Sequence, residues 1–360
     1  RTVELAEKLG AKVFYFPWRD DFSAAKNFAV EQAKGEWIAF LDADEYMEPE
    51  DAKKIGKVLE RIAGDTFDGI STGWQQINDE GKIFASGTQI RFFRNQSDIR
   101  YRRRIHEQLE SVTGRQLRVA DVTNELSVFH TGYQKAETVG KKKNERNRKL
   151  ILEELREDPN NYEMMGYMGD EYLDDGERVE AEAWYRRAVM HMPDQLSEED
   201  QRSAATYTRL LMILTEKEEA SWEAVDKIYR QAVEKMPKEA DFDYMVGRFF
   251  AASEDAGQAI QYLELALQKL NTFGCSNRAL LLAGNLKEAY DLLVRCCYEA
   301  GERQKCVTYA VAYLQSDRYG MTVLSRLLLT LVSGKEGKEQ EYPQILQFFS
   351  ELYDFSSLRD

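Results

Sequence analysis

The sequence predicts two domains of different class: an α/β domain with a mixed sheet over residues 1–135 and an all-α domain of helical repeats over residues 161–360, with a connecting helix at 136–160. Three observations carry this division. In the first part, apolar runs of strand length alternate with a helix-length segment. At "KAETVGKKKNERNRKLILEELREDPNN" the strand signals stop and a charged helix begins. Beyond it, small and aromatic residues recur at fixed offsets, which is the mark of stacked helical hairpins.

"RTVELAEKLG" reads as a helix, "AKVFYFPW" (11–18) as a strand, "SAAKNFAVEQAKG" (23–35) as a helix stopped by Gly35, and "EWIAFLD" as the next strand. Together they form a small β-α-β unit. The uninterrupted apolar run Trp37-Ile38-Ala39-Phe40-Leu41 suits a buried strand of a parallel sheet, and in open α/β sheets ligands gather where such strands end. This run ends in two carboxylates, Asp42 and Asp44. The alternation and turn residues of "FDGISTGWQQIN", "GKIFASGTQIRFFRN" and "LSVFHTGY" extend the sheet to about residue 133. A nucleotide-binding sheet ordinarily opens with a strand, whereas this chain opens with a helix, so a further segment ahead of Arg1 is expected.

In the second domain, Met168-Gly169, Tyr172, Ala181, Tyr185, Ala188 and Pro193 occupy the positions of a tetratricopeptide unit that begins at Tyr162. Weaker copies place Tyr229, Ala232 and Pro237, and then Gly247, Phe250, Ala259 and Ala266, at the same offsets; a degenerate copy runs from about 288 to 320. Small residues at those offsets let paired helices approach, and aromatic residues fill the groove between them. Such a solenoid presents a concave surface suited to a peptide or protein.

Composition narrows the classes. With 43% hydrophobic and 31% charged residues, the chain can bury a substantial core, and no apolar stretch reaches the length of a membrane span. The four cysteines (275, 296, 297, 306) have neither metal-finger spacing nor a disulfide pattern, and read as reduced core thiols of a cytoplasmic protein. Residues 1–135 carry 20 basic and 22 acidic side chains, which leaves 29 of the 49 basic and 41 of the 63 acidic ones to the remainder. That acid excess argues against a nucleic-acid partner.

Two aspartates at i and i+2 beyond a buried strand can face one divalent cation, Mg²⁺ or Mn²⁺, which would neutralise a phosphate-bearing leaving group. The alternative for "DAD" is a strand end with solvated acids, or a cap for the helix in "EPEDAKKIGKVLERI". The surroundings favour the first. "DDFSAAKNFA", "FLDADE", "RRRIHEQLE" and "FHTGY" together resemble a family 2 glycosyltransferase domain of the GT-A type, which is Rossmann-like with a mixed sheet, in the branch that carries C-terminal tetratricopeptide repeats and includes enzymes that glycosylate bacteriocin peptides on cysteine. The resemblance covers about residues 1–150.

The resemblance implies a metal-dependent, inverting transfer of a sugar from a nucleoside diphosphate sugar, a UDP-sugar favoured, with Mn²⁺ or Mg²⁺ as the cation. It places Asp44 on the metal and Asp42 nearer the ribose or the metal's water shell, with Glu45 behind them. Asn27, with Lys26 ahead of it, matches the family's Arg-Asn helix pair near the nucleotide; lysine departs from the usual arginine. Inverting transfer needs a base within reach of the acceptor's nucleophile. Glu107 is the first choice and His106 the second, the alternative being a structural histidine and a glutamate paired with Arg103 or Arg104. His130 takes the place of a late metal-ligating histidine, or is a packed strand-end residue. Arg91 and Arg94, with Arg102 to Arg104, form a basic cluster suited to diphosphate oxygens, or a solvated face. A scaffold with an inactive transferase domain and a nucleotidyltransferase are the other readings; the latter calls for a glycine-rich, lysine-bearing phosphate loop, which the sequence does not contain.

Overall fold

The computed structural model describes residues 2–360 apart from 79, 132–136, 198–199, 218, 275–279, 334–341, 354–355 and 357–360. It divides into two compact units, residues 1–160 and 161–360.

The elements of the first unit are α1 (Thr2–Lys8), α2 (Phe22–Gln32), β1 (Trp37–Ala39), β2 (Glu45–Tyr46), α3 (Pro49–Ala52), α4 (Ile55–Ile62), β3 (Gly69–Ile77), β4 (Ile83–Arg94), β5 (Ile99–Arg102), β6 (Gln108–Ser111), β7 (Val119–Asp121), β8 (Ser127–His130) and α5 (Glu137–Glu157). The main sheet has the order β1-β4-β3-β8-β2, with β7 also on β3. It is mixed: β3 runs antiparallel to β4 and parallel to β7 and β8. Strands β5 and β6 form a separate antiparallel pair.

Successive strand residues face opposite sides of a sheet. Phe92 and Phe93 of β4 therefore enter different cores. Phe92 packs with Val58 and Ile62 of α4, Ile70 and Val122, while Phe93 packs with Val30 of α2, Ile38, Ile99 and Tyr101. The sheet is thus covered by α4 on one face and α2 on the other. Asp21 starts α2 by accepting the Ala24 N–H at 2.8 Å, which satisfies one of the donors a helix leaves unpaired at its first turn.

Two expectations are corrected. The apolar run at 37–41 contributes only a three-residue strand, and it pairs antiparallel with β4 rather than lying inside a parallel sheet. Residues 11–18 join no ladder among the described residues, and Phe14, Tyr15 and Trp18 are exposed. A strand exists only through a hydrogen-bonding neighbour, so apolar character alone did not make one. The expected β-α-β unit is therefore not formed.

The second unit is helical: α6 (Tyr162–Asp174), α7 (Arg178–His191), α8 (Gln201–Thr215), α9 (Trp222–Lys235), α10 (Asp241–Ala252), α11 (Ala256–Phe273), α12 (Leu280–Gly284), α13 (Leu286–Glu299), α14 (Arg303–Ser316), α15 (Met321–Val332) and α16 (Tyr342–Leu352). The repeat offsets mark the close approaches. A Cβ on Gly169 would lie 2.5 Å from the Tyr185 ring, and one on Gly247 2.7 Å from Leu263, so glycine is what lets α6 meet α7 and α10 meet α11. Tyr185 donates its hydroxyl to Asp170, which also pairs with Arg202 and Arg209. Cys296, Cys297 and Cys306 are buried free thiols, and burial pushes the Cys297 thiol up to about 12; Cys275 lies outside the described residues. His191 donates from Nδ1 to the Arg187 carbonyl, as a structural residue does. No described helix is long and apolar enough to cross a membrane.

Burial pushes the Glu239 carboxyl up to about 7, with neighbouring Asp241 adding to the rise. The unfolded side chain ionises first, so the native state loses stability as pH climbs from about 4.5 to about 7, and the loss is constant above that. Replacing Glu239 by Gln removes a penalty of roughly 2–3 kcal/mol at pH 8 and almost none at pH 4.5. Urea midpoints of the helical circular-dichroism signal at the two pH values check this expectation.

Candidate functional site

One face of α2 organises the site. Phe22 N–H donates to the Arg104 carbonyl at 2.8 Å and Ser23 Oγ to the Arg103 carbonyl at 2.5 Å. One turn later, Asn27 binds the Tyr101 backbone in both directions, donating Nδ2–H to its carbonyl at 2.8 Å and accepting its N–H at 2.9 Å. The helix thereby fixes the segment between β5 and β6, in which Arg103 (φ 78°) and His106 (φ 52°) take left-handed backbone that non-glycine residues seldom adopt. Glu107 follows, and its Oε1 lies 2.7 Å from Lys26 Nζ.

The same ammonium is 3.2 Å from Asp42 Oδ1. The other Asp42 oxygen, Oδ2, accepts from Arg91 Nη2 at 3.1 Å. Arg91 is buried and also pairs with Glu45 Oε1, to which Trp74 donates its indole N–H at 2.8 Å. The Glu45 side chain is wholly buried and closes the acidic turn, since Asp42 N–H donates to its Oε2 at 3.0 Å and Glu45 N–H donates to the Asp42 carbonyl at 3.0 Å.

A bulge aims Arg91 into this cluster. The β3–β4 register passes from Ile70 opposite Phe92 to Ser71 opposite Ile90, so Arg91 faces no partner residue on β3. Such an extra residue bends the strand and redirects a side chain. Arg91 Nε and Tyr101 Oη are buried without a hydrogen-bond partner among the described residues. Burial pushes the Tyr101 phenol above its usual range. Two orphaned polar atoms beside Asp42 and Glu107 are what a site for a polar ligand would contain.

Asp44 is set apart from this cluster. Its carbonyl accepts from Thr131 N–H and Oγ1–H, both at 2.9 Å, and its half-exposed carboxylate lies 3.3 Å from His130 Nε2. Strand pairing brings these groups together, since β2 aligns Glu45 with His130. The two aspartates of "DAD" therefore face different partners, Asp42 the cations Lys26 and Arg91, and Asp44 the imidazole. Among the described residues, no three histidine, cysteine or acidic side chains converge as a metal site.

Of the residues singled out from sequence, Lys26, Asp42, Arg91 and Glu107 form one connected group, and Asp44 and His130 a pair. Asn27 spends its amide on Tyr101. Arg94 turns away, pairing with Glu36 and lying over the Trp37 ring at 4.5 Å. Arg104 is tied to Glu154 and Glu157 of α5. Glu107 takes Lys26 as its partner in place of the Arg103 or Arg104 considered from sequence. Tyr101 and Trp74 were not anticipated; their only signal is an aromatic residue among the polar ones of "IRYRRR" and "STGWQQ".

Residues 1–122 match the family described as Glycosyl transferase family 2. The chain is 31% identical over 160 residues to the SPbeta prophage-derived glycosyltransferase SunS of Bacillus subtilis, an alignment covering 44% of this chain and 37% of that protein. It is 37% identical over 107 residues to a TPR repeat-containing protein of Synechococcus elongatus, covering 30% of this chain and 25% of the other. The chain thus spans well under half the length of the curated relatives it matches. Among solved structures, YrrB, described as a TPR protein with an unusual peptide-binding site, is similar at 17% identity and a TM-score of 0.40 over 52% of this chain and 85% of that one. MamA is similar at 18% identity and a TM-score of 0.37 over 53% and 92%.

Proposed function

We propose that this chain, whose first unit carries a family 2 glycosyltransferase domain and whose second is a stack of TPR-like helical hairpins, is a cytoplasmic transferase that moves a sugar from a nucleoside diphosphate sugar, a UDP-sugar favoured, to a peptide or protein acceptor, with inversion. The observation that carries this reading is the connected group of Lys26, Asp42, Arg91 and Glu107, with the Asp44–His130 pair two residues on from Asp42 and with Arg91 Nε and Tyr101 Oη buried without a hydrogen-bond partner among the described residues. Donor-side roles fall to Asp42, Lys26 and Arg91. Asn27 acts by holding Tyr101, and Arg94 lies outside the cluster.

Asp44 and His130 fit a divalent cation. They offer a carboxylate oxygen on a half-exposed turn and, 3.3 Å from it, an imidazole nitrogen at the end of β8, and Mg²⁺ or Mn²⁺ commonly completes its shell with phosphate oxygens and water. Such a cation, when bound, would neutralise the charge that develops on a diphosphate leaving group. With both its oxygens held by Lys26 and Arg91, Asp42 is a lesser candidate for direct ligation than the sequence suggested, and is better placed for a ribose hydroxyl. Glu107 Oε2 makes no bond among the described residues and is the atom suited to take the acceptor's proton.

Asp44→Ala is expected to weaken Mn²⁺-dependent binding of UDP by about 10–100-fold. Calorimetric titration of UDP with and without Mn²⁺ tests it. Unchanged metal-dependent affinity would remove Asp44 from the site, and absence of UDP binding by the unaltered chain would leave the first unit as an inactive partner of a repeat scaffold.

A further inference from the structure

We propose that Lys26 is a positioning residue that ties Glu107 to Asp42, so that one ammonium holds the acceptor-side carboxylate in place and makes it respond to occupancy of the donor side. The words donor and acceptor rest on the transferase reading; the shared ion pair does not.

The geometry is specific. Lys26 Nζ is 2.7 Å from Glu107 Oε1 and 3.2 Å from Asp42 Oδ1, and it lies 5.2 Å from the ring centres of both Phe40 and Tyr101. The Lys26 and Glu107 side chains are only 13% and 16% exposed, so water supplies little of their solvation. An ammonium so enclosed depends on its carboxylates, and each carboxylate depends on it. Among the described residues Glu107 is gripped by one oxygen only, which anchors the carboxylate at Oε1 while leaving Oε2 open. A point charge on a flexible stem can serve two carboxylates in different directions. Lysine at this position thus suits a bridge.

Two consequences follow. Without Lys26, Arg91 would be the cation left to Asp42 and Glu45, and Glu107, which has no other ion pair among the described residues, would turn toward solvent. A ligand that engages Asp42 would shift the ammonium's share toward Glu107, so donor occupancy would be read at the acceptor side without any movement of the backbone.

The test is carbodiimide-driven labelling of carboxylates with an amine in the full chain, read residue by residue by mass spectrometry, with exposed Glu60 as the internal reference and circular dichroism to confirm folding. The Lys26→Met variant is expected to raise labelling of Glu107 by about tenfold or more, and Lys26→Arg to restore most of the protection. Where Lys26→Met does not fold, Lys26→Gln, which keeps an N–H donor group without the charge, is expected to give an intermediate rate. Adding UDP with Mn²⁺ is expected to change the Glu107 rate in the unaltered chain and to leave it unchanged in Lys26→Met, each protein being labelled at a UDP concentration that calorimetry shows to saturate it. Equal Glu107 labelling with and without Lys26 overturns the positioning role. UDP binding that leaves Glu107 unaffected in the unaltered chain overturns the coupling. Failure of both proteins to bind UDP overturns the transferase reading instead, while the comparison without nucleotide still decides whether Lys26 holds Glu107.

Discussion

Glu107→Gln is expected to leave Mn²⁺-dependent UDP affinity within about twofold while lowering turnover of a UDP-sugar by about 10²–10⁴, the range that a positioned general base contributes. The reasoning is steric as well as chemical. Glutamine has the shape of glutamate and still offers Lys26 an oxygen in place of Oε1, so the group around Asp42 stays assembled. What disappears is the basic lone pair on the second oxygen. Release of UDP from a panel of UDP-hexoses, with peptide acceptors supplied, measures the loss, and calorimetry with UDP measures the affinity. A variant that turned over normally would move the base elsewhere, and His106, held beside Glu107 in its left-handed backbone, is the next residue to replace.

Glu45→Ala is expected to be the most destabilising change in the acidic turn, by about 3–5 kcal/mol, because it leaves the buried Arg91 guanidinium short of its enclosed counterion. The same change strips the Trp74 indole and the Asp42 N–H of their acceptor. Native-state hydrogen exchange at the amides of β3, β4 and β8 reads the loss in the first unit without interference from the helical one. The double variant Glu45→Ala with Arg91→Met is expected to lose less than Glu45→Ala alone, since the stranded charge is gone. If the double variant is instead the less stable of the two, packing around Glu45 matters more than the charge, and the account of Arg91 as a buried partner fails.

Much of this architecture was legible in the sequence, and the exceptions share one cause. Local signals sufficed for the helical hairpins, because Gly169, Tyr185, Gly247 and Ala259 act within a single hairpin whose helices are neighbours in the chain. They sufficed also for β3, β4 and β8, whose alternation is strong. They misled at residues 11–18 and at β1, where what decides strand formation is the partner, and a partner distant in sequence leaves no local trace. The site divides in the same way. "DAD", "IHEQ" and "FHTG" marked where carboxylates and histidines gather, but not which ones meet. That Lys26 reaches both Asp42 and Glu107, and that Asp44 turns from Asp42 toward His130, depends on contacts between residues 16 to 86 positions apart. Trp74 and Tyr101 escaped notice because an isolated aromatic residue in a strand is ordinarily just packing.

The bulge at Arg91 makes β4 a strand whose two halves are counted out of phase. On the far side of Arg91 from Phe92, odd and even positions exchange their faces, so that Ile90 and Phe93, three residues apart, pack in the same core. Substituting Arg91 removes its bonds to Asp42 and Glu45 but leaves the count intact, whereas deleting it would bring the halves back into phase and turn Ile90 and every residue before it to the opposite face. A chain of this design can therefore vary in length at the turn joining β3 to β4, where nothing is counted, and is intolerant of a single codon gained or lost at the site itself.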